Sequence, residues 1–364
     1  MKFTAERDAL NEALKAVSSR TKTGPDIPIF ANVLIDAAVG HVTLTSHDGD
    51  SCSIVKIAAI VDEPGAVTIP CARLGQLVAG LSKGAQVEVA ADGSMARVRC
   101  GRASYKFATL PVDQFPEALA PRDAVSFKLT GDQVRHAFKT PAGSMGEEQT
   151  RHYLCGICLH PQKKGVVAVA TNGHTMVRVV LPIDGQKFDS IIVPRNAVGE
   201  IVNVAGKGEA TIEISKTLMA VEAGSRRFVT KLVDGTFPDY GRVIPEAQAN
   251  AFIVDSRDLD GALARLVAAC DPKASAVVKL SWDADGPITA SLRSDYAEGS
   301  ETIECEHSGA DAGETGMQVA YLRNLIEAAD GEVVHLHIAG PGDPIRIENP
   351  KAEDFVAVCM PCRV

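Results

Sequence analysis

The sequence predicts an α+β chain made of three repeats of one domain. Three observations carry that prediction. A short apolar strand pattern recurs at near-equal intervals, at residues 105–111, 228–233 and 358–364, and Phe115-Pro116 and Phe237-Pro238 follow its first two copies. A strand that runs directly into an amphipathic helix recurs at residues 67–78, 191–202 and, more weakly, 317–326. Each repeat also opens on a phenylalanine, Phe3, Phe127 or Phe252, followed by a helix-like apolar spacing. Boundaries fall in Pro/Ala-rich stretches near residues 120 and 247, which divides the chain into 1–120, 121–247 and 248–364.

Taken in order, the opening helices are expected around residues 10–17, 131–138 and 258–266, where apolar residues recur at i, i+3 and i+4. Strands follow at 42–45, 166–169 and 277–280. The second helices of the first two repeats follow Pro70 and Pro194; proline suits a helix start, where its missing N–H costs nothing. Each of those helices ends in a glycine turn, Ser82-Lys83-Gly84 and Gly206-Lys207-Gly208. Alternating segments come next, at 86–89, 210–214 and 333–338, the period-2 pattern of half-buried strands. Each repeat thus carries two helices and about eight strands in two similar halves.

Composition narrows the function. Hydrophobic residues make up 46% and charged residues 23% of 364, as in an ordinary globular chain. No run reaches the roughly 18 apolar residues of a membrane span, and the polar start Met1-Lys2-Phe3-Thr4 does not read as a signal peptide. Nine scattered cysteines read as reduced thiols of a cytoplasmic protein. The net charge of −9 argues against a nucleic-acid partner only for the long-range field, because a basic surface can sit within an acidic total. Two C-x-x-C pairs, Cys155/Cys158 and Cys359/Cys362, suggest a four-thiolate zinc site. Both are read here as strand residues, whose i and i+3 side chains point to opposite faces, so no metal is expected. His174 lacks a carboxylate or nucleophile fixed near it, and no catalytic residue is assigned. Gly340-Pro341-Gly342-Asp343-Pro344 reads as a hairpin loop, since no Lys-Ser/Thr follows to meet phosphate.

The repeats, together with Met1-Lys2-Phe3-Thr4, Arg151-His152-Tyr153-Leu154-Cys155-Gly156, Thr171-Asn172-Gly173-His174, Ile192-Val193-Pro194-Arg195, Lys231-Leu232-Val233-Asp234-Gly235 with Phe237-Pro238-Asp239-Tyr240, and the Met-Pro-x-Arg tail, resemble the bacterial DNA polymerase III beta subunit family over the whole chain. The resemblance implies the DNA clamp fold: three clamp domains, helices inside and antiparallel sheets outside, in a head-to-tail dimer ring threaded by duplex DNA. It implies a non-catalytic processivity factor with no cofactor. Its partners would be double-stranded DNA, the polymerase III alpha subunit, the clamp-loader delta subunit and other proteins carrying a clamp-binding motif. A divergent paralogue with a repair or mobile-element role is the alternative. A ring that must hold DNA and still slide suits sparse phosphate contacts, which carry no sequence information.

Carried over by position, the partner-peptide cleft comprises Leu154, Thr171, Gly173, His174, Met176, Pro238, Arg242, Val243, Gln318, Tyr321, Val358, Met360, Pro361 and Arg363. The DNA-facing set is Lys22, Arg73, Lys83, Arg135, Lys139, Arg151, Tyr153, Arg195 and Lys207, with Arg7, Lys15, Arg20, Arg265 and Arg323 as further helix cations. Glu147 and Glu148 stand beside Arg151 and weigh against its contact with DNA. The dimer interface would join Arg102, Tyr105 and Phe107 to Ala268, Ala269, Glu298, Glu301 and Glu304. The chain departs from the family at Thr175, often Arg, and at Cys362 and Val364, usually Met and Leu. It also lacks an aromatic in residues 271–275 and has two small alanines, Ala268 and Ala269, at the interface.

Overall fold

The structure is a computed structural model. It describes every residue except 22–26, 184, 249–250, 271–274, 285, 308–310 and 364. Lys22, most of the aromatic-poor segment and Val364 therefore lie outside the described residues. The six α-helices among the described residues are α1 (Arg7–Ser18), α2 (Cys71–Gly80), α3 (Gly131–Phe138), α4 (Arg195–Ala205), α5 (Ser256–Cys270) and α6 (Val319–Ala329). They come two to a repeat, as the periodicity predicts. Two of the three opening helices start earlier than the apolar spacing suggests, because acidic residues cap them. Glu6 accepts the Ala9 N–H at 2.9 Å ahead of α1, and Asp255 accepts the N–H groups of Arg257 and Asp258 at 2.8 and 3.1 Å ahead of α5. Pro70 and Pro194 are the last residues of the strands before α2 and α4, and Gln318 takes that place before α6.

The strands form four antiparallel sheets. A five-stranded sheet runs Ile60–Glu63, Lys2–Glu6, Gln86–Asp92, Met95–Cys100, Ala103–Ala108. An eight-stranded sheet runs Val125–Thr130, Glu209–Ile214, Leu218–Ala223, Arg226–Lys231, Ser51–Ala58, His41–His47, Asn32–Ala38, Gly65–Pro70. A nine-stranded sheet runs Ile191–Pro194, Gly156–Gln162, Gly165–Thr171, Thr175–Leu181, Ala352–Cys359, Ile345–Asn349, Val333–His337, Phe252–Asp255, Cys305–Glu306. A four-stranded sheet runs Glu298–Ile303, Ile288–Arg293, Val277–Trp282, Gly313–Gln318. The two largest sheets are each shared between neighbouring repeats. The chain accordingly divides into two compact units, residues 1–134 with 199–232 and residues 135–198 with 233–364.

In the first unit, α1 and α2 bury Leu10, Leu14, Val17, Leu74 and Val78 against Phe3, Ile35, Leu44 and Ile69. At about 1.5–3 kcal/mol for each fully buried large apolar side chain, this cluster dominates the local stability. Gly131 must be glycine, because a Cβ there would meet the Gly206 carbonyl oxygen at 2.2 Å. Residues 340–344 connect Val333–His337 to its antiparallel neighbour Ile345–Asn349, the expected hairpin.

Candidate functional site

The second unit holds a cleft built around one turn. Asn172 Oδ1 accepts the N–H groups of His174 and Thr175, both at 2.8 Å, and the Thr175 hydroxyl at 3.3 Å. The Thr171 hydroxyl donates to the Thr175 carbonyl at 2.8 Å and accepts from Gly173 N–H at 3.2 Å. Gly173 adopts φ +91°, a left-handed conformation that suits glycine. These bonds hold His174 out on the surface, and its ring stacks on Tyr321 of α6 with centroids 5.7 Å apart and planes at 17°. The carboxy-terminal strand completes the wall: Cys359 pairs with Thr175, Val358 pairs with Met176, and Met360 N–H donates to the His174 carbonyl at 2.8 Å. Cys362 N–H then donates to the Gly316 carbonyl at 2.7 Å, which ties the tail to the strand leading into α6.

Not all the predicted cleft residues line its surface. Leu154, Met176 and Val358 are buried. Met176 and Val358 pack with Cys158, Val167 and Val169, and Phe237, Tyr240 and Ile244 cover that cluster. The rim is exposed: Pro238, Arg242, Val243, His174, Met360 and Arg363. Val243 and Met360 are large apolar side chains left 47% and 38% exposed, which offers an apolar peptide a footing. Arg242 pairs with Asp239 at 2.8 Å. Gln318 immediately precedes α6, while Thr171, Tyr321 and Pro361 are half-buried. Beside the turn, a cavity of about 350 Å³ is lined by Leu154, His174 and Tyr321 together with Arg151, Arg195 and Asn324.

Sequence reasoning missed four of these parts. Asn172 orders the turn, and its signal, Asn-Gly after a strand, was present. Tyr240, whose hydroxyl lies 2.8 Å from His160 Nε2, and its neighbours Phe237 and Ile244 pack under the rim; Phe237 and Tyr240 stand in the Phe-Pro-Asp-Tyr motif, but nothing local shows that they face this cluster. Burial raises the Tyr240 hydroxyl pKa.

The C-x-x-C expectation needs correction. Cys155 precedes the strand Gly156–Gln162 and closes a 3₁₀ turn, and Cys362 lies beyond the strand Ala352–Cys359. Opposite faces of a strand therefore do not separate either pair. The Cys155 thiol donates to the Glu148 carbonyl at 3.3 Å, and Cys158 Sγ lies 3.2 Å from Ser190 Oγ. Burial, with the neighbouring Cys362, pushes the Cys359 thiol up to about 12.

The candidate DNA-facing residues differ in how they are held. Arg73, Lys83, Lys139 and Lys207 are exposed, with no carboxylate in ion-pair range among the described residues; Arg135 and Tyr153 are half-buried. Several others are held by carboxylates. Arg151 pairs with Glu148 at 2.8 Å, Arg195 with Glu147 at 3.1 Å, Arg323 with Asp260 at 2.6 Å, and Lys15 with Glu12 at 2.9 Å. Arg265 pairs with Glu301, so these two residues engage each other within the chain. Arg7 is no surface cation: it is buried and donates to the Val78 and Ala79 carbonyls. Arg20 lies 5.7 Å over the Phe228 ring and 3.8 Å from Asp48.

Each unit also ends a sheet on an open strand. Ala103–Ala108 is an edge of the first unit, with Arg102 and Tyr105 exposed and Phe107 half-buried. Glu298–Ile303 is an edge of the second; α5 packs on it and leaves Ala268 and Ala269 exposed. Among the described residues no helix is long and apolar enough to cross a membrane.

Known proteins match this architecture end to end. Models of the DNA polymerase III beta subunit match in order: its N-terminal domain at residues 1–120, its central domain at 128–239 and its C-terminal domain at 241–363. The beta sliding clamp of Escherichia coli K12 is 30% identical over 369 residues, and that of Caulobacter vibrioides NA1000 is 30% identical over 379, each comparison spanning 100% of both chains. The crystal structure of the DNA polymerase III subunit beta from Pseudomonas aeruginosa agrees at TM-score 0.93 and 25% identity, over 100% of both chains. A Bartonella birtlesii sliding clamp bound to griselimycin agrees at 0.93 and 27%, again over 100% of both. With its three clamp domains, this chain belongs to the DNA polymerase III beta subunit family, the bacterial sliding clamps, which are non-catalytic processivity factors of DNA replication.

Proposed function

We propose that two copies of this chain close head to tail into a ring around duplex DNA in the cytoplasm, and that the cleft of residues 154–176, 238–243, 318–321 and 358–363 tethers the polymerase and other replication proteins by a short apolar peptide. The repeats are taken as 1–120, 121–247 and 248–364.

The observation that carries the dimer is the way the second and third repeats each hand their last strand to their predecessor. Following the ladders inward from Phe3, Phe127 and Phe252 leads to Tyr105, Phe228 and Ala357 as equivalent positions. Phe228 pairs with Ser53, and Ala357 pairs with Val177. The receiving strands both follow a capped turn: Asp48 accepts Ser51 N–H at 2.7 Å just as Asn172 accepts Thr175 N–H. A third such turn exists, where the Ser294 hydroxyl accepts Tyr296 and Ala297 N–H at 3.3 and 3.2 Å before the open edge Glu298–Ile303. The strand that would fit it is Ala103–Ala108, a sheet edge of the first unit, from a second copy. Register then sets Tyr105 against Gly299, Phe107 against Ala297 and Lys106 against Glu298: aromatic on small, and cation on anion. Pairing the two edges removes both from solvent and closes the assembly.

In this ring the exposed Arg73, Lys83, Lys139 and Lys207, with Arg135, Arg151, Tyr153 and Arg195, meet phosphates without reading bases. The cleft is tested by titrating a labelled clamp-binding peptide. Saturable binding that Met360→Ala weakens is expected; no saturation, or indifference to Met360→Ala, would remove the site.

A further inference from the structure

The loop of residues 147–155 touches both proposed surfaces. Arg151 and Arg195 line the cavity beside the cleft, and each is held by a glutamate of the same loop. Arg151 Nε and Nη2 both donate to Glu148 Oε2, at 3.0 and 2.8 Å; Arg195 Nη1 and Nη2 both donate to Glu147 Oε1, at 3.3 and 3.1 Å. The Arg151 guanidinium lies so close to the turn that a Cβ on Gly173 would meet its Nη1 at 3.1 Å. All four side chains keep solvent access, the carboxylates most of all, at 66% for Glu148 and 84% for Glu147. Such pairs exchange readily, because an exposed ion pair is worth little. A phosphate oxygen offers the same guanidinium fork a chemically equivalent acceptor.

We propose that Glu147 and Glu148 are positioning residues that act as built-in stand-ins for phosphate: they hold Arg195 and Arg151 until a duplex phosphate displaces them, and so loosen the grip on DNA. This rests on the reading of the loop as DNA-facing. A cation already paired with a carboxylate recruits less salt anion in the free protein. Its transfer to phosphate therefore changes the ion atmosphere less, and exposed phosphates meet two opposing charges.

The test measures binding of the full-length protein to a labelled short duplex across a salt series, for Glu147→Gln, Glu148→Gln, Arg151→Ala and Arg195→Ala. Native mass and thermal melting confirm that each variant folds. Each glutamine variant is expected to bind about two- to fivefold tighter at low salt. Its plot of log affinity against log salt should steepen by up to about 0.9, which a purely structural role would not do. Arg151→Ala and Arg195→Ala should weaken binding. If the alanine variants weaken binding while the glutamine variants match the unaltered protein in affinity and slope, the loop faces DNA but the glutamates do not restrain it, and the proposal fails. If none of the four changes binding, the DNA-facing reading of this loop fails, and the proposal with it.

Discussion

Replacing Asn172 by alanine removes one oxygen and leaves three donors without it. The His174 N–H sits on an exposed residue, so water takes over there at little cost. Thr175 is 4% exposed, so its N–H and hydroxyl face the loss with little access to water. The hydroxyl bond, at 3.3 Å, is already weak. The unmet N–H therefore dominates, and leaving one buried donor unsatisfied costs about 1–3 kcal/mol. Taking about 2 kcal/mol, the turn opens about 30-fold more often. Hydrogen exchange followed by mass spectrometry on fragments covering 172–176 reads this directly, since protection there reports local opening. Peptide affinity should fall with it, because an opened turn no longer presents His174 against Tyr321. Asn172→Asp supplies the needed comparison. Asp48 holds the equivalent turn of the first repeat, accepting Asp50 and Ser51 N–H at 3.0 and 2.7 Å, so a carboxylate fits the role. Exchange in Asn172→Ala within twofold of the unaltered protein, or Asn172→Asp opening as readily as Asn172→Ala, would refute the assignment of Asn172 as the residue that holds the cleft turn.

Two further outcomes are expected. Lys106→Cys combined with Glu298→Cys should cross-link protomers on mild oxidation and give a reducible band at twice 38.4 kDa. Facing positions of an antiparallel ladder lie about 4.5–5.5 Å apart, within disulfide reach; Lys106→Cys with Ser300→Cys, two residues out of register, should not link, and efficient linking of that control would refute the register. In the first unit, Arg227 bonds Glu213 and Glu222, each at 2.6 Å, and the bond from Arg227 holds the Glu213 carboxyl below its usual 4.5 despite partial burial. A depressed carboxylate contributes stability that is present above its unfolded pKa and lost as pH falls through its folded one. Glu213→Gln should therefore destabilise the fold near neutral pH by roughly 1 kcal/mol or less for so solvated a pair, read as a lower thermal midpoint, with the difference closing below about pH 4.5; an equal difference at pH 3 and pH 7 would contradict this.

The repeats and their helices were legible because they are local. Phe127 and the Val134, Ala137, Phe138 face of α3 announce themselves within a dozen residues. The sharing of sheets was not. Nothing near Arg226–Lys231 shows that its partner is Ser51–Ala58 of the previous repeat, and for that reason the compact units divide the second repeat instead of following the Pro/Ala-rich stretches. The cations were half legible. Arg73 and Lys207 look like Arg7 and Arg323 in the sequence, yet Arg7 is buried under the end of α2, and Arg323 is held by Asp260, 63 residues away. Charge type is written locally; neutralisation depends on what the fold brings close. The Glu147–Arg195 pair spans 48 residues, whereas Glu148–Arg151, three residues apart, could be anticipated.

The three capped turns differ in what each would offer an apolar peptide. At the first turn, the residue two beyond the cap is Asp50, and the strand opposite places Lys231 on it: Lys231 N–H donates to the Asp50 carbonyl at 2.8 Å, and its ammonium lies 3.2 Å from the carboxylate. An apolar peptide side chain settling there would strip water from an ion pair and gain little. At the second turn the same backbone bond is made by Met360 to His174, but the side chains are a thioether and an imidazole stacked on Tyr321, and apolar surface is left open. At the third turn the corresponding residue is Tyr296, 96% exposed in the single chain. The position equivalent to Lys231 and Met360 is Ala108, which a second copy would bring there in the proposed ring. One fold thus uses the same turn three ways. An ion pair closes the first, the second leaves apolar surface open beside His174 and Tyr321, and the third is the one that Ala103–Ala108 of a second copy would meet in the proposed ring.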